Sequence, residues 1–243
     1  MIDRRPSRPP ARWSKRTDEL VRYAAVNCGP GLQSELGHWI EASPRFATFA
    51  AANRDKIRKK LLNADRAEGQ LDVRAELRVA HLLLQDERFT VVFEAYGAHQ
   101  PGPDLTVTYR ANQGFNLEVT RIRRGADVQK LVTVVAAKAR QLTADSANAL
   151  VIAGQHLGLS ETELGEAARL LKAHADAADN AFFARRGAGN ARTFLAHYLR
   201  LAGVLLLDED CSARVFWSNR EARRPLSAEI VSRLLAARAS DTG

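Results

Sequence analysis

The chain has 243 residues, 46% of them hydrophobic and 26% charged, with a formal net charge of +8. That length leaves room for one large domain, or one domain with a small helical addition, and the apolar share is ample for a core. Two cysteines, Cys28 and Cys211, exclude a disulfide framework and a cysteine-rich zinc site, and suit a reducing compartment.

No run approaches the ~18 apolar residues that span a bilayer. The most apolar stretch, Leu195 to Leu207, is broken by His197 and Arg200. The basic N-terminus lacks the apolar segment of a secretory signal. These features point to a cytoplasmic protein with no membrane partner.

Residues 1–16 read as a basic arm. Arg4, Arg5, Arg8, Arg12, Lys15 and Arg16 face only Asp3, and Pro6, Pro9 and Pro10 oppose regular structure. Such an arm suits a phosphate backbone. Residues 17–66 read as a helical subdomain. Thr17 or Asp18 is placed to cap one helix, Ser34 a second and Ser43 a third; Trp13 and Trp39 are candidate anchors. Asn53 to Leu62 carries Arg54, Lys56, Arg58, Lys59 and Lys60.

Residues 67–243 read as an α/β domain. Leu71 to Glu87 is its clearest helix, with Asp72 as expected N-cap and Val73, Leu77, Ala80, Leu83 and Leu84 on one apolar stripe. Glu76 falls on that stripe, where a carboxylate is out of place without a partner or a role. Three strand-like runs follow: Phe89–Ala95, Leu105–Tyr109 and Phe115–Ile122. The turn Ala111-Asn112-Gln113-Gly114 makes the last two a hairpin. Asp127 to Leu142 reads as a helix, and Asn148–Ala153 as a buried parallel strand ended by Gly154.

Beyond it, Ser160 and Glu163 form a capping box for a helix to Ala178. Thr193–Leu201 reads as helix. Gly203–Leu207 and Arg214–Trp217 read as an antiparallel pair at the sheet edge. Ser227 caps a last helix.

Two carboxylates stand out. Asp104 opens the second strand run behind Gly102 and Pro103. Glu118 lies inside the third, between Leu117 and Val119. A charge within an apolar strand costs several kcal/mol unless something compensates it. With Glu76 from the preceding helix, three acids are candidates to converge on a divalent cation with oxygen ligands. Six cations between Arg121 and Arg140, against Asp127 alone, suggest a polyanion partner, with Arg121, Arg123, Arg124 and Lys130 as candidate nucleic-acid contacts. A solvated basic face accounts for the same charges. The six histidines show no metal-ligand spacing.

With Pro103-Asp104, Glu118-Val119-Thr120 and Glu76 placed on a helix–three strands–helix–strand order, the chain resembles the PD-(D/E)XK, or restriction-endonuclease-like, superfamily. The resemblance covers about a third of the chain, and its motif is short. It implies an αβββαβ core with a mixed central sheet flanked by helices, here with an N-terminal helical addition. It also implies a Mg²⁺-dependent nuclease, Mn²⁺ being the alternative ion, acting on DNA in preference to RNA. Asp104, Glu118 and Glu76 would be the metal ligands. A homodimer is compatible with the sequence.

One position departs from the pattern: Thr120 stands where the family carries a lysine that orients water and neutralises charge. Lys138, on the helix expected to pack beside the site, is the first candidate substitute, with Gln141 one turn on. Two readings therefore stay open, a metal-dependent nuclease and an inactive module of the same fold that binds nucleic acid or protein.

Overall fold

The computed structural model describes residues 13–64, 66–95, 102–123, 125–155, 157–209 and 214–237. Residues 1–12 of the expected 1–16 arm, Arg124 and Cys211 lie outside them, while Lys15 and Arg16 open a helix. The chain divides into two compact units, Met1–Asp65 and Arg66–Gly243.

Among its described residues the first unit holds four helices: α1 (Lys15–Ala24), α2 (Pro30–Ala42), α3 (Pro44–Ala52) and α4 (Arg54–Asn63). Ser14, not Thr17 or Asp18, caps α1, its hydroxyl accepting from Thr17 N. Pro30 starts α2 four residues before Ser34, because a proline at the first helical position loses no hydrogen bond. Ser43 caps α3 as expected, accepting from Phe46 N. Leu36, Trp39, Phe46, Phe49 and Ile57 are buried, with Trp39 edge-on to Phe46 at 5.9 Å between ring centroids. The Trp13 ring lies against Gly37, where an added Cβ would meet it at 2.3 Å.

The second unit begins with α5 (Arg66–Leu84), longer at its N-terminus than the apolar stripe indicates. Asp72 is accordingly not its N-cap. It sits inside the helix and pairs with Arg121, a tertiary contact the local pattern does not carry. Then follow β1 (Phe89–Phe93), β2 (Leu105–Tyr109), β3 (Gln113–Ile122), α6 (Val128–Ala139) and β4 (Ala147–Gly154). The remainder is α7 (Glu161–Asp176), α8 (Asn180–Ala184), α9 (Ala191–Tyr198), β5 (Leu201–Asp208), β6 (Arg214–Ser218) and α10 (Ala228–Ala236).

The strands form one six-stranded mixed sheet in the order β1-β2-β3-β4-β5-β6. β1, β2 and β3 are an antiparallel meander, β3, β4 and β5 run parallel, and β6 returns antiparallel to β5 at the edge. The architecture is α/β, with helices flanking a mixed sheet.

Gln113 and Gly114, expected in the turn, already pair with Tyr109 and Thr108, so the β2–β3 loop is Arg110–Asn112. Arg110 and Ala111 have φ of 47° and 62°, and Asn112 N donates to Tyr109 O at 3.3 Å. Positive φ at both central residues matches the twist of the two strands, so the tight turn wins although neither residue is Gly. At the other end, the expected Thr193–Leu201 helix stops at Tyr198, and Leu201 already pairs with Asn148 in the sheet. The capping box of α7 forms, with Ser160 N donating to Glu163 Oε2 at 2.7 Å.

Alternation assigns the two faces of the sheet. Ile122, Leu150, Ile152, Val204 and Leu206 join Leu131, Val135, Leu164 and Phe194 in a core beneath α6, α7 and α9. On the opposite face α5 packs against β1 and β3, over Phe89, Phe93, Leu117 and Val119. Among the described residues no helix is long and apolar enough to cross a membrane.

Candidate active site

β3 carries the buried polar side chains of the candidate site because its even-numbered face changes character along its length. Asn116, Glu118, Thr120 and Ile122 share the face that looks toward α6, yet only Ile122 joins the apolar core there. The first two are buried polar side chains, Asn116 at 1% exposure and Glu118 at 3%. A buried carboxylate needs compensation, and α6 supplies it: Lys138 Nζ donates to Glu118 Oε1 at 2.9 Å. The lysine head stays 29% exposed, so the pair joins the interior to solvent. Glu118 Oε2 is itself buried.

Asp104 stands across from Glu118. Leu105 pairs with Leu117 in the β2–β3 ladder, so Asp104 is one residue beyond that pair on β2 as Glu118 is on β3. Its Oδ2 accepts from Val119 N at 2.8 Å, and its carbonyl accepts from Glu94 N at 3.0 Å. Backbone therefore fixes Asp104 on both sides, at the mouth of the meander.

Asp104, Glu118 and Lys138 are thus drawn together by hydrogen bonds and register. Thr120 occupies the same face as Glu118, half-buried and opposite Ile152. Gln141 lies two residues past the end of α6, where its backbone N–H closes a turn on Lys138 O. Glu76 is buried at 6% on α5, the helix on the other face of the sheet. Among the described residues no three His, Cys, Asp or Glu side chains form a group that could hold a metal ion, so Glu76, Asp104 and Glu118 are not a three-acid set. Two carboxylates still fit Mg²⁺ in its usual protein setting, where one or two carboxylates leave the remaining positions to water and substrate phosphate.

The arginines nominated for nucleic acid are largely committed elsewhere. Arg121 turns to the α5 face, its side chain only 8% exposed, and reaches Asp72 at 3.3 Å, Glu209 at 3.4 Å and Glu68 at 3.6 Å. Arg123 pairs with the same Asp72 and Glu68. Lys130 is exposed on α6, its backbone N–H capped by Asp127.

Sequence reasoning missed the buried polar network beside the pair. Asn116 Nδ2 donates to Thr143 Oγ1 at 2.9 Å, and Thr106 Oγ1 donates to Asn116 Oδ1 at 3.1 Å. Asn148 donates to the carbonyls of Thr143, Ser146 and Arg200. The signal was an asparagine two residues before Glu118 in a strand, a residue type strands disfavour.

Comparison of the chain with protein-family models, with curated proteins and with solved structures returned no significant match.

Proposed function

We propose that the chain is a metal-dependent phosphodiesterase acting on nucleic acid, with DNA as the preferred substrate, built on a restriction-endonuclease-like core. The order α5–β1–β2–β3–α6–β4 and the meander followed by a parallel crossover support this reading. The observation that carries it is the contact between Lys138 Nζ and Glu118 Oε1 at 2.9 Å, with Asp104 across the ladder. It places a cation from α6 beside the acid whose motif partner, at Thr120, has no charge.

In this reading Asp104 and Glu118 would hold the ion, Mg²⁺ or Mn²⁺. When bound, such an ion lowers the pKa of a coordinated water and stabilises charge on a phosphodiester. Lys138 orients Glu118 and supplies positive charge where phosphate charge grows. Thr120 offers a hydroxyl, which donates a hydrogen bond without charge. Val119 N holds the Asp104 carboxylate and Glu94 N its main-chain carbonyl, so the residue is positioned before substrate arrives.

The test is cleavage of plasmid and linear DNA by the purified chain with Mg²⁺ or Mn²⁺. Cleavage should be abolished by Asp104→Ala, Glu118→Ala and chelation. If the wild type cleaves neither DNA nor RNA, the hydrolytic reading fails. The inactive-module reading then takes its place, favoured by the absence of a three-acid set among the described residues.

A further inference from the structure

We propose that α4 and Tyr23 of the first unit form a phosphate-backbone contact surface for nucleic acid, separate from the carboxylate site. This takes the partner class from the proposed function and assigns it a different surface.

Residues 54–60 hold five cations and one acid, Asp55. Arg54, Lys56 and Lys59 are exposed, while Ile57 and Leu61 turn into the core of the unit at 0% and 3% exposure. Charge alone would describe a solvated face. Here, however, two guanidinium groups are held. Arg58 lies 4.7 Å from the centre of the Tyr23 ring and Arg54 5.4 Å from it. Arg58 Nη1 also donates to Tyr23 O at 2.8 Å, and the Tyr23 hydroxyl donates to Asp55 at 2.6 Å. Tyr23 itself is 41% exposed.

An exposed aromatic that carries two arginines restricts their rotamers before any ligand arrives. Less conformational freedom is then lost when they fork onto phosphate oxygens. Lys59 adds an unfixed charge on the same helix. An anionic bilayer fits less well, because Leu62 is the one exposed apolar residue of α4, too little to bury in a membrane interface. By contrast, Arg121 and Arg123 of the second unit already face Glu68 and Asp72.

The experiment uses the full chain with metal withheld, so that binding is read apart from cleavage. Anisotropy of a short labelled DNA duplex is followed between about 50 and 200 mM salt. Wild type should bind with affinity falling linearly in log salt. Arg54→Gln with Arg58→Gln and Lys59→Gln should reduce that slope by roughly 2–3 and weaken binding at least tenfold. Tyr23→Leu, which changes no charge, should weaken binding roughly two- to fivefold. A control with the same charge change on exposed arginines of the second unit, Arg169→Gln with Arg192→Gln and Arg220→Gln, should keep the wild-type slope, and circular dichroism confirms folding of each variant.

The proposal is overturned if the wild type does not bind duplex, or if the α4 variant keeps the wild-type slope. It is also overturned if the control loses as much as the α4 variant, or if the chain binds phosphatidylserine vesicles and not DNA. Loss of cleavage with intact salt-dependent binding would instead strike the catalytic reading alone.

Discussion

Lys138 and Glu118, twenty residues apart in sequence, meet at 2.9 Å because the crossover from β3 to β4 carries α6 back over the strand it has just left. Glu118 sits under the helix at 3% exposure, and Lys138 reaches it from the solvent side. Replacing Lys138 by Met takes the cation away from a buried carboxylate. The expected loss is about 1–3 kcal/mol in urea unfolding, below the 3–5 of a fully buried pair because the lysine is partly solvated. Cleavage should fall at least a hundredfold if Lys138 serves the reaction. A stability loss without any change in cleavage would make it a structural pair only.

Thr120 offers a complementary test, since it shares a face with Glu118. In the Lys138→Met background, Thr120→Lys should return a cation to Glu118, restoring measurable cleavage and part of the lost stability. Recovery of neither in gel-based cleavage and urea unfolding would mean the two positions do not serve one pocket.

Asp104 allows chemistry to be separated from architecture. Its carboxylate accepts from Val119 N, a bond that Asn can also accept. Asp104→Asn should therefore unfold within about 1 kcal/mol of wild type, whereas Asp104→Ala should lose about 1–3 kcal/mol. Both should be inactive in cleavage. Activity retained by the Asn variant would remove Asp104 from the proposed metal ligands.

Arg121 and Arg123 share acidic partners but differ in burial, 8% against 59% side-chain exposure. Arg121→Met removes the buried cation that Glu68, Asp72 and Glu209 share, leaving them only Arg123 and Arg74, and should cost roughly 2–4 kcal/mol in urea unfolding. Arg123→Ala should cost under about 1 kcal/mol. Equal losses would show that burial is not what distinguishes them.

Asp86 gives the pH dependence. Burial pushes its carboxyl up, but the side-chain and backbone hydrogen bonds from Arg88 outweigh that and hold it below the usual carboxylate value. A lowered folded-state pKa stabilises the fold above the unfolded value, about 3.9, and the gain disappears as pH falls through the folded one. Asp86→Asn should thus melt below wild type at pH 7, with the gap closing as pH drops below about 4. A gap that persists at acid pH would place the effect in packing.

Local chemistry made much of the scaffold legible. Ser43 ahead of Pro44, the Ser160–Glu163 box and Ser227 each supply a side chain that satisfies orphan N–H groups within three residues, so short-range pattern suffices. The β4 run was equally readable, since a strand buried on both faces must be continuously apolar. Asp104 and Glu118 also stood out in sequence, as charges at strand positions with a cost to offset.

What the chain alone could not settle was which distant residues offset those charges. Asp72 looked like a cap and is a partner of Arg121; Arg121 looked like a nucleic-acid contact and is an internal ion-pair hub. Glu76 reads as a third acid of the pair but lies on the helix of the opposite face, while Lys138 arrives by way of a helical crossover. Periodicity determines which face of its own element a side chain occupies, as on α5, where Val73, Leu77, Ala80, Leu83 and Leu84 are all buried. Which element then lies over that face depends on sheet order and crossover direction, and these follow from burial summed over the whole core rather than from any one stretch.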